Sequence, residues 1–220
     1  MRRAISETIG LIAMLAVALF ASANTVAWAA AWAFLAVYTV VAVTSLAIVD
    51  RALIAERSSV PPDIDRVDAA LGAAFFILLY PATLVVSGLD RRFGWSPPIA
   101  VGVQGLALAV FTAGYGFGLW AMRVNAFFST FVRFQGERGH RVIDSGPYAH
   151  VRHPGYAGAL AAHLALPVAL GSLWALIPAA CGGLLLALRS VREERTLVEK
   201  LSGYCEYRRR VRWRLIPRVW

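Results

Sequence analysis

A chain of 220 residues with 59% hydrophobic and only 16% charged residues is far more apolar than a soluble domain, which excludes an ordinary water-soluble enzyme and points to a membrane protein. It carries 22 Lys and Arg against 13 Asp and Glu, a net charge of +9. The basic residues fall between apolar runs, which argues for contact with anionic headgroups and against nucleic acid as a partner.

Residues 8–49, 69–89, 93–122 and 153–188 contain no Asp, Glu, Lys or Arg. A helix rises about 1.5 Å per residue and a bilayer core is about 30 Å thick, so about 20 apolar residues make one crossing. The first run is long enough for two crossings, with "SANT" at 22–25 as the polar interruption. Its opening "MRR", apolar 9–20 and "ASA" imitate a secretory signal, but the next apolar segment follows almost at once, so a retained first helix is expected. "RSSVPPDID" at 57–65 reads as a turn in which Pro61 and Pro62 stop a helix and Asp63 or Asp65 caps the next. "AALGAAFFILLYPATLVVSGL" at 69–89 is one span, and within 102–118 the Gly114, Gly118 pair fits a small-residue helix contact. The last run divides at 171–172 into a helical hairpin, for about six crossings in all.

With the N-terminus in the cytoplasm, alternate crossings place Arg51, Arg57, Arg66, Arg123, Arg133, Arg138, Arg141, Arg152 and the basic tail inside. Only Arg91 and Arg92 fall outside, which is the positive-inside bias. The expected fold is an all-α polytopic integral membrane protein with both termini cytoplasmic. Residues 1–122 read as a transmembrane scaffold of about four helices, and 123–220 as the part that carries the chemistry. Cys181 in an apolar span and Cys205 in the tail argue against a disulfide.

The chemistry begins after Arg123. "MRVNAFFSTFVRFQ" at 122–135 has the aromatic and basic mixture of a segment in the headgroup layer. "GERGHRVIDSGPYAHVRHPGYAG" at 136–158 is too polar for lipid and too rich in Gly and Pro for a regular element. Irregular backbone near membrane depth is tolerated where it lines a cavity or meets water, so this stretch is expected to wall a pocket. The last helix continues through "RSVREERTLVEK" to about Leu201, with Gly203 as terminator; beyond it aromatic and basic residues alternate. Arg189 and Glu193 stand four apart on one helix face, and charges so near a membrane boundary are expensive to keep, which favours a functional role. His140, His150 and His153 lack carboxylate or thiolate partners at familiar ligand spacing, so no metal is expected. His163, on an apolar helix, reads as a packing residue.

"GHRVIDSGPYAHVRHPGYAG", then a hairpin, then "REERTL" and "GYCEYRRRV", resembles the isoprenylcysteine carboxyl methyltransferase family and its bacterial relatives, within the wider group that includes membrane phospholipid methyltransferases. The resemblance covers about residues 122–218; where the family has Phe-Gly before its Tyr-x-x-Tyr element, this chain has "LSGYCEY", one residue shorter. It implies a membrane enzyme that uses S-adenosylmethionine in a cytoplasmic C-terminal catalytic region of the bacterial cell membrane. By motif position, Gln135, His140, Arg141, Val142, Ile143, Tyr148, His153, Pro154, Gly155 and Tyr156 would line the cofactor site, and Glu193 would close it. Arg189 matches the family's substrate-facing arginine.

A sulfonium, a zwitterionic amino-acid head and a flat adenine all need polar partners at lipid depth, and an irregular loop offers free backbone groups for them. His153 reads either as a donor to the cofactor carboxylate or as a cap of the next helix. Tyr148 and Tyr156 read as adenine-stacking or interface residues. The acceptor implied is a lipid-like or prenylated molecule, with a carboxylate favoured because it needs no base; phospholipid amine and small-thiol methylation remain alternatives. An NADPH-dependent membrane sterol-type reductase and a non-enzymatic membrane protein are the rival readings.

Overall fold

The apolar runs fold as helices and their polar interruptions as turns. In a computed structural model, residues 2–57 and 65–220 are described; the fold is 74% helix, with no strand among the described residues. Helices α1 (Arg2–Ala23) and α2 (Ala29–Ile48) form the first pair, and the chain turns at "SANT", where Asn24 takes the left-handed conformation that a short polar residue tolerates. A short α3 (Arg51–Arg57) follows. Pro61, Pro62 and Asp63 lie outside the described residues. Asp65 does cap α4 (Arg66–Ile77), accepting from the backbone N–H groups of Val67 at 2.7 Å and Asp68 at 3.3 Å.

From α4 the helix runs on through a π-helical turn (Leu78–Ala82) into α5 (Thr83–Phe93). Pro81 lies in that turn and brings no N–H; the wider turn accommodates it, Thr83 Oγ1 donates to the Leu78 carbonyl at 2.7 Å, and the helix continues. Gly94, left-handed, ends it by donating to Asp90 O. Then come α6 (Val101–Val124), α7 (Pro154–Ala169), α8 (Leu176–Lys200) and a seven-residue α9 (Tyr204–Arg210).

Four helical stretches are long and apolar enough to cross a membrane: Arg2–Ala23, Ala29–Ile48, Arg66–Phe93 and Val101–Val124. The expected hairpin is present as α7 and α8, turning at the left-handed Gly171. At 16 residues, however, α7 is shorter than a full crossing of about 20, and α8 is charged from Arg189 onward. Among the described residues there are thus four candidate crossings of full length, with the last expected pair present as the α7–α8 hairpin.

Leu15 and Leu19 of α1, Phe34 of α2, Leu84 of α5, Phe111 of α6 and Leu166 of α7 form a core closed to solvent. Outward-facing Val17, Val40, Leu106 and Leu184 are exposed instead, an apolar exterior suited to lipid. Helices α6 and α7 make the closest approach: a Cβ on Gly158 would sit 2.3 Å from the Gly114 carbonyl oxygen and 3.1 Å from the Gly118 nitrogen, so glycine is required there.

The bundle has two polar ends. At one, Asp90 accepts from Ser96 N at 2.7 Å, Ser96 Oγ at 2.5 Å and Ser172 Oγ at 2.5 Å, tying α5 to both nearby turns. At the other, α3, the start of α4, the end of α6, the irregular stretch 125–153 and the charged end of α8 meet.

Candidate functional site

At that second end, an irregular strap from Asn125 to Gln135 crosses the mouth of a cleft between the 140–153 loop, α7 and α8. The cleft, open at its mouth, takes in about 740 Å³ of empty space, part of it open to solvent. His140, Arg141, Val142 and Ile143 form one side. Tyr148, His153, Gly155 and Tyr156 form the floor, and Glu193 closes it from α8. Gln135, Pro154 and Arg189 are not part of the lining.

Each of those three acts from behind the wall. Gln135 is buried; its side-chain amide donates to Phe127 O at 2.7 Å and its backbone N–H donates to His140 Nδ1 at 3.2 Å, which fixes the strap to the loop. Pro154 opens α7, where its missing N–H would be orphaned anyway. Arg189 is gripped bidentately by Asp68 of α4, Nε to Oδ1 at 3.0 Å and Nη2 to Oδ2 at 3.1 Å, and also donates to the strap carbonyl of Thr130 at 2.9 Å. Asp68 accepts in addition from Val132 N at 2.9 Å, so one buried carboxylate joins α4, α8 and the strap.

The strap supplies the apolar wall through Phe127, Phe128 and Phe131. Phe127 and Phe134 flank the His140 ring, with centroids at 4.6 and 5.6 Å. Burial lowers the His140 pKa. Phe128 lies so close to α7 that a Cβ on Gly155 would stand 2.4 Å from its ring.

The polar wall centres on His153. Its backbone N–H donates to Arg214 O at 3.0 Å and its ring stacks at 5.7 Å on Tyr156. Nδ1 lies 3.9 Å from Glu193 and Nε2 3.8 Å from Glu194, both beyond hydrogen-bond reach, and Nε2 is buried with no hydrogen-bond partner among the described residues. Glu194, next to the pocket residue Glu193, points the other way. It faces Arg152 at 3.0 Å, Arg208 at 3.3 Å and Arg214 at 2.5 Å. Burial opposes its ionisation, but the His153 and Arg214 groups at its oxygens and the charges of Arg152 and Arg214 hold its pKa at about 2. Arg152 also donates to the carbonyls of Val211 at 2.8 Å and Arg212 at 2.6 Å, which seats the tail behind the loop. Tyr207 of α9 donates to Tyr148 O at 2.8 Å, while Tyr148 accepts from Asn125 at 2.9 Å.

Sequence reasoning missed Asp68, Glu194 and the aromatic strap as parts of the site. Only Asp68 left a local signal, an acid at the edge of an apolar span. Among the described residues no group of three His, Cys, Asp or Glu converges to hold a metal ion. His163 lies apart, its Nδ1 2.7 Å from Ala159 O and its ring against Tyr80 and Tyr115.

Membrane-length helices with a half-polar, half-aromatic cleft at one end define an integral membrane protein. Residues 103–203, which span α6, strap, loop and hairpin, match the family model of phospholipid methyltransferases, a family within the isoprenylcysteine and phospholipid methyltransferase group. No curated protein matches the chain.

Proposed function

We propose that the protein transfers a methyl group from S-adenosylmethionine to a lipid-like acceptor, a carboxylate by preference, at the cytoplasmic face of the cell membrane. The observation that carries this reading is the pairing, in one cleft, of a polar wall (Arg141, His153, Glu193) with an aromatic strap (Phe127, Phe128, Phe131) above α7. The donor set fits the cofactor. His153 turns Nδ1 toward the lining residue Glu193 at 3.9 Å, Arg141 is a cation for a carboxylate, Glu193 is an anion for a cation, and the rings of Phe127 and Tyr148 suit a flat base. Gly155 keeps the floor thin where a side chain would collide with Phe128.

When bound, S-adenosylmethionine supplies an activated methyl on a sulfonium. The chain's own part is to orient the reactants and exclude water. Glu193 stabilises positive charge in the cleft, the phenylalanines of the strap keep water out, and the loop's free backbone groups hold the polar head. Glu194 is held ionised among three guanidiniums outside the cleft and is no free base. A carboxylate acceptor needs none, which supports that preference over an amine or thiol. Arg189, committed to Asp68 and Thr130, serves in this reading to hold the strap in register.

The test is label transfer from methyl-labelled S-adenosylmethionine into membrane lipid extract by the detergent-purified protein, with NADPH oxidation followed in parallel. Label is expected in the organic phase, and Glu193→Gln is expected to weaken S-adenosylhomocysteine binding about tenfold. NADPH oxidation without label transfer, or no binding of S-adenosylhomocysteine, would overturn the reading.

A further inference from the structure

Most guanidiniums around the cleft are paired with acids; among the described residues Arg138 donates instead to Gln135 Oε1 and the Ala126 carbonyl, and Arg141 lines the cleft. Arg133 meets Glu56 at 2.7 Å, Arg189 meets Asp68, Arg192 meets Asp65 at 3.0 Å, Arg210 meets Asp144 at 2.8 Å, and Arg152, Arg208 and Arg214 share Glu194. Arg57 is different. It ends α3, half-buried, with its guanidinium carbon 5.1 Å from the centroid of the Phe128 ring, and no carboxylate lies within ion-pair distance among the described residues. Burial lowers its pKa, and the groups that oppose this are the hydroxyls of Tyr156 and Tyr80, not an acid. A desolvated guanidinium remains charged, so leaving it without an anion is costly unless a ligand supplies one.

Its place is not accidental to the fold. Leu53 of α3 is buried against Leu119 of α6, and Phe128 and Ile54 pack on the same cluster. Thr130 Oγ1 of the strap donates to Arg57 O at 3.3 Å. Phe128 has Gly155 and the cleft on one side and Arg57 against its ring, so the arginine stands next to the site behind a single aromatic side chain. An arginine that only reached for headgroups would extend outward over apolar surface rather than stack on a pocket wall.

We infer that Arg57 binds the oxyanion of the acceptor, a carboxylate or phosphate borne on an apolar tail, and so selects anionic amphiphiles as substrates; this rests on the methyltransferase reading above. The residue lies outside the family-matched segment, so it sets specificity in this chain rather than the shared methyl transfer.

The test uses full-length protein in detergent, saturated with S-adenosylhomocysteine, titrated with palmitate, hexadecyl phosphate and hexadecanol, and with acetate and inorganic phosphate as tail-free anions. Palmitate, hexadecyl phosphate or both are expected to bind about tenfold tighter than hexadecanol, and Arg57→Gln to abolish that margin. Arg57→Lys, which keeps the charge without the planar fork, is expected to keep part of it. Weak binding of acetate and phosphate marks a lipid as the source of the anion; tight, Arg57-dependent binding of either marks a free anion at the same guanidinium. S-adenosylhomocysteine affinity, measured for each variant, reports the fold and the cofactor site separately. Equal affinity for hexadecanol and the anionic amphiphiles in the unmodified protein, or an unchanged margin in folded Arg57→Gln, overturns the inference and leaves the methyltransferase reading standing. Absence of S-adenosylhomocysteine binding in the unmodified protein instead removes the reading on which it rests.

Discussion

Three guanidiniums from two distant stretches, Arg152 before α7 and Arg208 and Arg214 in the tail, converge on the one carboxylate of Glu194. Removing the charge would leave buried Arg152 and mostly buried Arg214 without their shared anion, Arg208 being exposed, so Glu194→Gln is expected to cost about 3 kcal/mol and to lower the melting temperature in detergent. The pH dependence has a definite sign. Glu194 is depressed from 4.5 to about 2, so its stabilisation is complete above about pH 4.5 and is lost as pH falls toward 2. Melting curves from pH 7 to pH 3 should show a loss that Glu194→Gln does not share. The sequence pattern identified Glu193 because it stands four residues from Arg189. Successive residues on a helix point about 100° apart, so Glu193 and Glu194 necessarily face different neighbours. Which of them meets the cleft depends on where Arg152 and Arg214 arrive, a long-range matter that no local spacing encodes.

The strap from Asn125 to Gln135 has no regular structure, so its shape is set by what holds it: Asp68 and Arg189 at residues 130–132, Glu56 at Arg133, and Gln135 at Phe127. Asp68→Asn is expected to loosen it, leaving Arg189 buried without its anion, and to weaken S-adenosylhomocysteine binding about tenfold with a smaller change in turnover at saturation. Because Asp68 and Arg189 act through one contact, adding Arg189→Gln should cost much less than the sum of the two single effects, which titration of both single variants and the double variant will measure. Additive losses would mean that the two residues serve the site independently. Helices and turns were legible because apolar run length and the breakers at 22–25 and 171–172 act locally. The strap was legible only as aromatic and basic, and α9 was missed: its Tyr204 and Tyr207 bury one face three residues apart, within a stretch that reads as simple alternation. An element this short forms because it packs, not from its own propensity.

At the scale of the whole chain, the two polar ends of the bundle differ in charge. Arg51, Arg57, Arg123 and Arg133 share the end that holds the cleft: Arg123 reaches Ile48 O at 3.3 Å, and the strap meets α3 through Thr130 and Arg133. Arg91 and Arg92 belong to the opposite end, where α5 finishes beside the Asp90 clasp. Basic residues are retained on the cytoplasmic side during insertion, which supports the proposed orientation of the cleft and α9 toward the cytoplasm. The two free cysteines can report it. Cys205 is exposed on α9 at the cleft end, whereas Cys181 is exposed on the apolar part of α8, where lipid would cover it. A membrane-impermeant maleimide is expected to label Cys205 in inverted inner-membrane vesicles and not in right-side-out ones, and to leave Cys181 unlabelled in both. Labelling of Cys205 from the outer face alone would place the cleft, and any acceptor drawn into it, on the other side of the membrane.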